Sequence, residues 1–196
     1  MSVSAPAAGR RTKMTIRATL LIANVAIIGV FIHQSLAFPS FSVGSTLGET
    51  DGAVPDGVTV FDDIPAVANL DPALLVALRK AATDAADDGV KFYVNSGWRT
   101  PAYQQHLLQE AVSKYGSEQE AARWVATPTT SPHVAGQAID IGRSDATAWL
   151  SEHGSRYGLC QIYDNEPWHY ELRPEAVTRG CPPRYADPTH DPRMQG

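Results

Sequence analysis

The sequence predicts an α+β fold in which helices flank a small antiparallel sheet. In some segments apolar residues recur at helical spacing, and in others they alternate with polar residues. The last two strand candidates, 159–163 and 168–172, lie on either side of a turn at 164–167, which predicts an antiparallel hairpin. The chain has 196 residues, 43% of them hydrophobic, which is enough for one domain with its own core.

Local signals place the helices and strands in order along the chain. Asp71-Pro72 begins the first helix of the domain, because Asp is a good N-cap and Pro fits the first helical position. That helix ends at Gly89, where a left-handed residue is expected. The other predicted helices run from Thr100-Pro101 to Gly116, from Ser117 to Val125, and from Ser144 to Gly154 or Gly158. The other predicted strands are 90–95 and 137–141.

The N-terminal region predicts export of the domain. Four basic residues precede an uncharged apolar run at 18–32, and the apolar character continues to Phe38. This pattern fits either a signal peptide cleaved near Ala37 or a membrane anchor, and the sequence leaves both open. We divide the chain into a basic tail with signal peptide or anchor (1–37), a linker (38–58), a central domain (59–173) and a Pro-rich C-terminal tail (174–196).

Charge and cysteine content indicate which partners the chain can bind and which redox compartment it occupies. Beyond residue 37 the chain has 12 basic and 21 acidic residues, which argues against a nucleic-acid-binding protein. Cys160 and Cys181 are the only cysteines. In an oxidising compartment we expect them to form a disulfide that tethers the tail, with two free buried thiols as the alternative.

Two turn-rich stretches bring together the residue types of a hydrolytic zinc site. Asp140 should face away from its aliphatic strand neighbours, and Gly136 allows the preceding loop to return His133 towards it. If the sheet places the Asp140 face beside the His169 face, these three side chains surround one ion. Two imidazoles and one carboxylate suit Zn²⁺ and leave a fourth position for water.

Two glutamates are candidates for the general base of such a site. Glu166 precedes Pro167, so it lies in extended backbone at the start of the last strand and can point over the metal. Glu171 is the rival, because strand alternation places it on the same face as His169. Spacing alone leaves this choice open.

Arg99 follows a glycine in a strand-to-helix turn. A guanidinium at this position could bind a substrate carboxylate or stabilise an oxyanion. The alternative is a surface arginine that pairs with one of the many acidic residues.

Three sequence blocks resemble the zinc D-Ala-D-Ala carboxypeptidases of the vancomycin-resistance (VanY) type, whose fold is shared with Hedgehog signalling domains. The pattern S-x-H-x-x-G-x-A-x-D is matched by Ser131, His133, Gly136, Ala138 and Asp140. The pattern E-x-W-H is matched by Glu166, Trp168 and His169. The turn S-G-[YW]-R-[ST] is matched at 96–100, with a following Gln at Gln104.

The resemblance implies a role for each matched residue. His133, Asp140 and His169 become the zinc ligands, and Glu166 rather than Glu171 becomes the catalytic base. Arg99 becomes the residue that stabilises the substrate carbonyl. Ser131 and Gln104 become candidates for substrate binding.

The resemblance also implies an activity. We expect an exported, monomeric zinc metallopeptidase that hydrolyses the D-Ala-D-Ala bond of peptidoglycan stem peptides near the membrane. One alternative is an endopeptidase that cleaves L-Ala-D-Glu or a cross-bridge. Another is a non-catalytic cell-wall-binding module on the same zinc scaffold.

Overall fold

The computed structural model describes residues 47–195, and in that range the strands form a four-stranded sheet. The strands are β1 (Tyr93–Ser96), β2 (Ala138–Gly142), β3 (Leu159–Gln161) and β4 (His169–Leu172). They lie in the order β1-β2-β4-β3, and every neighbouring pair is antiparallel. The predicted α+β class with an antiparallel sheet is confirmed, including the hairpin of β3 and β4.

Helices begin at the capping residues that the sequence indicates. The Asp71 carboxylate accepts hydrogen bonds from the backbone N–H groups of Ala73 and Leu74, which have no partner inside the helix. The Thr100 hydroxyl caps the next long helix in the same way. The helices of the described residues are α1 (Pro65–Ala68), α2 (Pro72–Asp87), α3 (Pro101–Tyr115), α4 (Glu118–Ala121), α5 (Ser144–His153) and α6 (Ala176–Arg179).

One face of the sheet belongs to the hydrophobic core. Leu78 and Ala81 of α2 are fully buried and share a cluster with Ile139 of β2 and Tyr170 of β4. Alternate side chains on a strand point to opposite faces, so the residues between these positions lie on the other face. The sheet therefore presents an apolar face to the helices and a polar face to a site.

Several element boundaries differ from the predictions, and β3, for example, ends at Gln161 instead of residue 163. Pairing of β1 with β2 begins at Tyr93, so the strand starts three residues later than its apolar alternation suggests. Helix α4 ends at Ala121 and does not reach Val125. Arg143, with φ 69°, takes the N-cap position of α5, and Ser144 is the first helical residue. All these differences concern element ends, where local signals are weakest.

Residues 47–58 pack against the domain, although their composition indicates a linker. The backbone oxygen of Asp51 accepts a hydrogen bond from the N–H of Thr100 at 2.9 Å. Gly52 is buried with φ 102°, and a Cβ at this position would lie 2.2 Å from the Trp98 carbonyl oxygen. The glycine here serves a close backbone approach, so composition is a misleading guide to flexibility in this segment.

The C-terminal tail is folded as far as residue 195. It contains α6 and two 3₁₀ turns, Pro188–His190 and Pro192–Met194, each of which begins with a proline. A disulfide joins Cys160 to Cys181, which confirms the predicted pairing. The tail has no apolar periodicity because single turns and the disulfide, rather than a long element, fix its path.

The predicted export segment, 1–37, lies outside the described residues. Among residues 47–195, no helix combines the length and apolar character needed to cross a bilayer. The choice between a cleaved signal peptide and an anchor stays a prediction.

Candidate metal centre and active-site cleft

Three side chains converge on one point at the polar face of the sheet. Asp140 and His169 are direct partners in the β2–β4 ladder, and the loop before β2 returns His133 to them. The Asp140 Oδ1 atom lies 3.5 Å from His133 Nε2 and 3.3 Å from His169 Nδ1. One donor atom from each of the three residues lies within 4.8 Å of the other two. The structure thus brings together the three residues that the sequence predicts as zinc ligands.

Hydrogen bonds fix which ring nitrogen of each histidine can bind a metal. The Nδ1 atom of His133 lies 2.8 Å from the Gly97 carbonyl oxygen, which can only accept, so Nδ1 carries the proton. The Nε2 atom of His169 lies 3.3 Å from a carboxylate oxygen of Glu171 and donates to it. The lone pairs of His133 Nε2 and His169 Nδ1 therefore point towards Asp140.

The two oxygens of the Asp140 carboxylate have different environments. Oδ2 accepts from Arg99 Nη2 at 3.1 Å, whereas Oδ1 is buried and has no hydrogen-bond donor among the described residues. Zinc bonds of 2.0–2.2 Å in tetrahedral geometry would separate neighbouring donors by about 3.4 Å. The measured separations, 3.3 and 3.5 Å, match this value. The donor set fits a zinc ion with an open coordination position.

Electrostatics of the metal-free cluster also favour a cation. Burial raises the pKa of Asp140, but the neighbouring His133 and His169 outweigh it and hold that pKa well below its ordinary value. Burial lowers the pKa of His169, but the neighbouring carboxylates of Asp140 and Glu171 outweigh it and raise that pKa to about 9. The carboxylate is therefore charged at neutral pH, and a metal ion would replace a proton at His169.

Glu166 lies beside the three candidate metal ligands, in the turn before β4. Its Oε2 atom is 3.6 Å from His169 Nδ1, and the carboxylate lines a cleft. Among the described residues it makes no ion pair with lysine or arginine. Burial raises the pKa of Glu166 to about 7, against the opposing effect of His169. A carboxyl group with this pKa can both accept and donate a proton near neutral pH.

Glu171, the rival base, has a different environment. Its carboxylate accepts hydrogen bonds from His169, from Arg173 at 2.7 Å and from Arg193 at 2.7 and 3.1 Å. Burial raises the pKa of Glu171, but His169 and Arg193 outweigh it and lower that pKa below its ordinary value. Glu171 is 1% exposed and does not line the cleft, so its position suits orientation of His169 rather than proton transfer.

The Arg99 guanidinium is fixed by three acceptors. Nε donates to Ser96 Oγ at 2.8 Å, Nη1 to Gln104 Oε1 at 3.0 Å, and Nη2 to Asp140. The side chain is 12% exposed, so the alternative of a surface ion pair is wrong. Each terminal nitrogen keeps a second N–H, and the residue lines the cleft.

The two candidate substrate-binding residues differ in what they offer the cleft, which has a volume of about 440 Å³. Ser131 Oγ is buried, lines the cleft and has no hydrogen-bond partner in the described part of the chain. Gln104 also borders the cleft, but its Oε1 accepts from Arg99 and its Nε2 donates to the Ala126 carbonyl oxygen at 2.8 Å. Gln104 therefore orients Arg99, whereas Ser131 has a free hydroxyl.

Comparison of the sequence with known protein families shows the family to which this chain belongs. The family model VanY: D-alanyl-D-alanine carboxypeptidase matches residues 68–175. The chain belongs to the VanY family. A D-alanyl-D-alanine carboxypeptidase of Enterococcus faecalis is 35% identical over 121 residues, which are 48% of this chain. The match covers 45% of the length of that relative.

Solved structures of VanY proteins share the fold. One is a vancomycin-resistance D,D-pentapeptidase VanY in complex with Zn(II), with 32% identity and a TM-score of 0.52 over 56% of this chain and 76% of the other. Another is VanYB in complex with D-alanine-D-alanine, with 32% identity and a TM-score of 0.53 over 56% and 75%. The LdcB LD-carboxypeptidase, at 24% identity and a TM-score of 0.51 over 65% and 71%, has a similar fold.

The VanY match ends at residue 175, near the start of the C-terminal tail, yet the rest of the tail reaches the site. Pro188 and Met194 line the cleft, and Arg193 contacts Glu171. Tyr163, whose ring centroid is 5.1 Å from that of His169, connects the two through a hydrogen bond to the tail. Sequence reasoning missed these contacts, and the second cysteine was the only signal that the tail returns to the domain.

Proposed function

We propose that this chain is a zinc-dependent D,D-carboxypeptidase that hydrolyses the D-Ala-D-Ala bond of peptidoglycan stem peptides. The observation that carries the proposal is the convergence of His133, Asp140 and His169, with Glu166 Oε2 3.6 Å from His169 Nδ1. Membership of the VanY family supports the reaction, and the Zn(II) and D-alanine-D-alanine complexes of relatives support the metal and the substrate.

The metal ligands in this proposal are His133 Nε2, Asp140 Oδ1 and His169 Nδ1. Zinc bound by these atoms would polarise the scissile carbonyl and lower the pKa of a water molecule. Gly97 and Glu171 orient the two imidazoles, so that His133 Nε2 and His169 Nδ1 face the position of the ion.

Glu166 is the general base and then the general acid. Its carboxylate accepts a proton from the attacking water and later gives that proton to the amine of the departing D-Ala. The pKa of about 7 supports both roles, because the group changes protonation state readily near neutral pH.

Arg99, Ser131 and Gln104 bind and orient the substrate in this proposal. The free N–H groups of Arg99 stabilise negative charge on the carbonyl oxygen as water attacks. The Ser131 hydroxyl, which has no partner among residues 47–195, hydrogen-bonds to the substrate. Gln104 acts chiefly by fixing Arg99.

The proposed place of action is outside the cytoplasm. The N-terminal segment would export the domain and either anchor it in the membrane or be cleaved near Ala37. The Cys160–Cys181 disulfide fits an oxidising compartment, and the substrate lies in the cell wall. We propose a monomer that binds peptidoglycan stem peptides and no nucleic acid.

Mass spectrometry of products tests this function. The purified chain, loaded with zinc, is incubated with a muropeptide that ends in D-Ala-D-Ala. The expected product has lost one D-Ala, and a chelator should abolish its formation. Cleavage at L-Ala-D-Glu or at a cross-bridge would show an endopeptidase instead. Binding without any product over a long incubation would show a non-catalytic module.

A further inference from the structure

The C-terminal tail beyond the VanY match returns to the polar face of the sheet at several points. The disulfide fixes Cys181 beside β3, and Tyr185 forms a parallel bridge with Tyr163. Asp187 then accepts a hydrogen bond from Arg123 at 3.0 Å. These anchors direct the last turn of the tail, Pro192–Met194, towards the metal centre.

Arg193 in this last turn makes a two-point contact with Glu171. Its Nη1 and Nη2 atoms donate to the two carboxylate oxygens at 2.7 and 3.1 Å. Asp191 accepts from Arg193 Nε at 3.0 and 3.1 Å. Asp191 is fully buried and also accepts from the Tyr163 hydroxyl at 3.0 Å. Asp191 of the tail therefore fixes the orientation of the Arg193 guanidinium.

Glu171 connects the tail to a proposed zinc ligand. It is 1% exposed, and a carboxylate at such a position needs fixed donors to remain charged and oriented. Its Oε1 atom accepts from His169 Nε2 at 3.3 Å, which keeps the His169 Nδ1 lone pair directed at Asp140. A partner of this kind fixes both the tautomer and the ring angle of a metal-binding histidine.

The tail also forms part of the cleft wall. Pro188 and Met194 line the same cleft as Arg99, Glu166 and Ser131. Met194 directly follows Arg193, so the contact that orients Glu171 also sets the position of this wall.

We propose that Arg193 is a positioning residue, which acts through Glu171 to orient His169 for zinc, and that the tail completes the metal centre. The inference rests on the proposed function only in taking zinc as the ion bound at His133, Asp140 and His169. Arg173 also contacts Glu171, but it belongs to the segment directly after β4. Of these two arginines, only Arg193 donates to both carboxylate oxygens of Glu171, and only Arg193 belongs to the last turn of the tail.

The test measures zinc affinity by competition with a chelator in the full chain and in two matched variants. Arg193→Gln removes the contact with Glu171. Arg184→Gln is the control, because Arg184 lies in the same tail but pairs with Asp164 at the surface. We expect the zinc dissociation constant to rise about 10–100-fold in Arg193→Gln and less than about twofold in Arg184→Gln.

A third variant, Arg193→Lys, separates orientation from general stability. Lysine keeps the charge but loses the paired geometry, so we expect a zinc dissociation constant between those of the wild type and Arg193→Gln. With the muropeptide, kcat should fall in Arg193→Gln while KM changes little, because the residue does not touch substrate. Circular dichroism checks that each variant is folded.

Different results would overturn the positioning role of Arg193 and the proposed peptidase activity. A zinc affinity of Arg193→Gln within twofold of the wild type, or equal to that of Arg184→Gln, overturns the positioning role. If Arg193→Gln does not fold, Arg193→Lys decides: a rise of at least about threefold supports the role, and an unchanged constant overturns it. The zinc measurement stands even if the wild type hydrolyses no muropeptide, which would overturn only the proposed activity.

Discussion

Single atoms decide the chemistry of this site at the residue scale. His133 faces Asp140 with Nε2, and His169 faces it with Nδ1. The sequence predicts which residues converge, because two short patterns contain them. It does not predict which nitrogen points inward, because that depends on the Gly97 carbonyl and on Glu171.

Glu166 and Glu171 also show that spacing in the sequence does not predict the partners of a side chain. Strand alternation correctly places Glu171 on the face of His169 and therefore makes it a rival base. Its arginine partners distinguish it from Glu166, and one of them lies 22 residues away in the tail. Spacing carries no information about such a partner, whereas the family pattern selects Glu166 directly.

Glu166→Gln tests the proposed base. The amide keeps the size of the side chain but cannot accept the proton from water, so kcat should fall about 10²–10⁴-fold. Zinc content, measured by metal analysis of the purified variant, should equal that of the wild type. Glu152→Gln, at an exposed position on α5, serves as the control and should keep full activity. A tenfold or smaller fall in kcat for Glu166→Gln would contradict the assignment.

At the element scale, a glycine in the loop before β2 brings His133 back to the sheet. Gly136 has φ 70°, and a Cβ there would lie 2.6 Å from the Asn69 carbonyl oxygen. The N–H of Asp71, the N-cap of α2, donates to the Gly136 carbonyl oxygen at 2.8 Å. The loop is therefore fixed against the start of α2, which the residue pattern alone does not reveal.

Gly136→Ala tests this contact, and Gly116→Ala is its control. Gly116 has φ 83° but open space around a Cβ, so alanine there adds only backbone strain. We expect Gly116→Ala to cost about 1 kcal/mol of unfolding free energy. Gly136→Ala adds a backbone clash and should cost about 3 kcal/mol or more. Urea denaturation measures both, and equal losses would show that the close approach to Asn69 is unimportant.

Local signals predict the elements better than their ends. The caps at Asp71 and Thr100 and the β3–β4 hairpin follow from residues close together in sequence. The start of β1 depends on its pairing with β2, more than 40 residues further along the chain. The packed segment 47–58 depends on contacts with Trp98 and Thr100 in the same way.

At the scale of the whole molecule, the tail joins the domain through a disulfide and through ion pairs. Cys160 and Cys181 are 21 residues apart, and the bond between them closes a loop in the unfolded chain. The prediction of this bond needed only the two cysteines and the exported location. The path after Cys181 could not be predicted, because it depends on the distant partners Arg123, Tyr163 and Glu171.

Removal of the disulfide tests its contribution. The double variant Cys160→Ala/Cys181→Ala should lose about 3 kcal/mol of unfolding free energy, because the unfolded chain gains loop entropy. Reduction of the wild type with dithiothreitol should give a loss of similar size. Urea denaturation measures both. A loss below about 0.5 kcal/mol would mean that the tail is held without help from the bond.

The ion pair between Asp187 of the tail and Arg123, two residues after the end of α4, makes the free energy of unfolding depend on pH. Burial raises the pKa of Asp187, but hydrogen bonds from Thr189, His190 and Arg123 outweigh it and lower that pKa to about 2. A lowered folded-state pKa stabilises the protein above the ordinary aspartate value, and this stabilisation is lost as pH falls towards 2. Unfolding free energy between pH 5 and 2.5 should therefore fall less in Asp187→Asn than in the wild type. The exposed Asp63→Asn is the control, and identical slopes in all three proteins would contradict the role of Asp187.

Zinc K-edge X-ray absorption of the purified chain tests most directly whether His133, Asp140 and His169 share one ion. We expect one zinc per chain, bound by nitrogen and oxygen donors at about 2.0–2.2 Å, with the scattering pattern of two imidazoles. His169→Ala should remove one imidazole from this pattern. A chain that takes up no zinc, or a spectrum that His169→Ala leaves unchanged, would contradict the account.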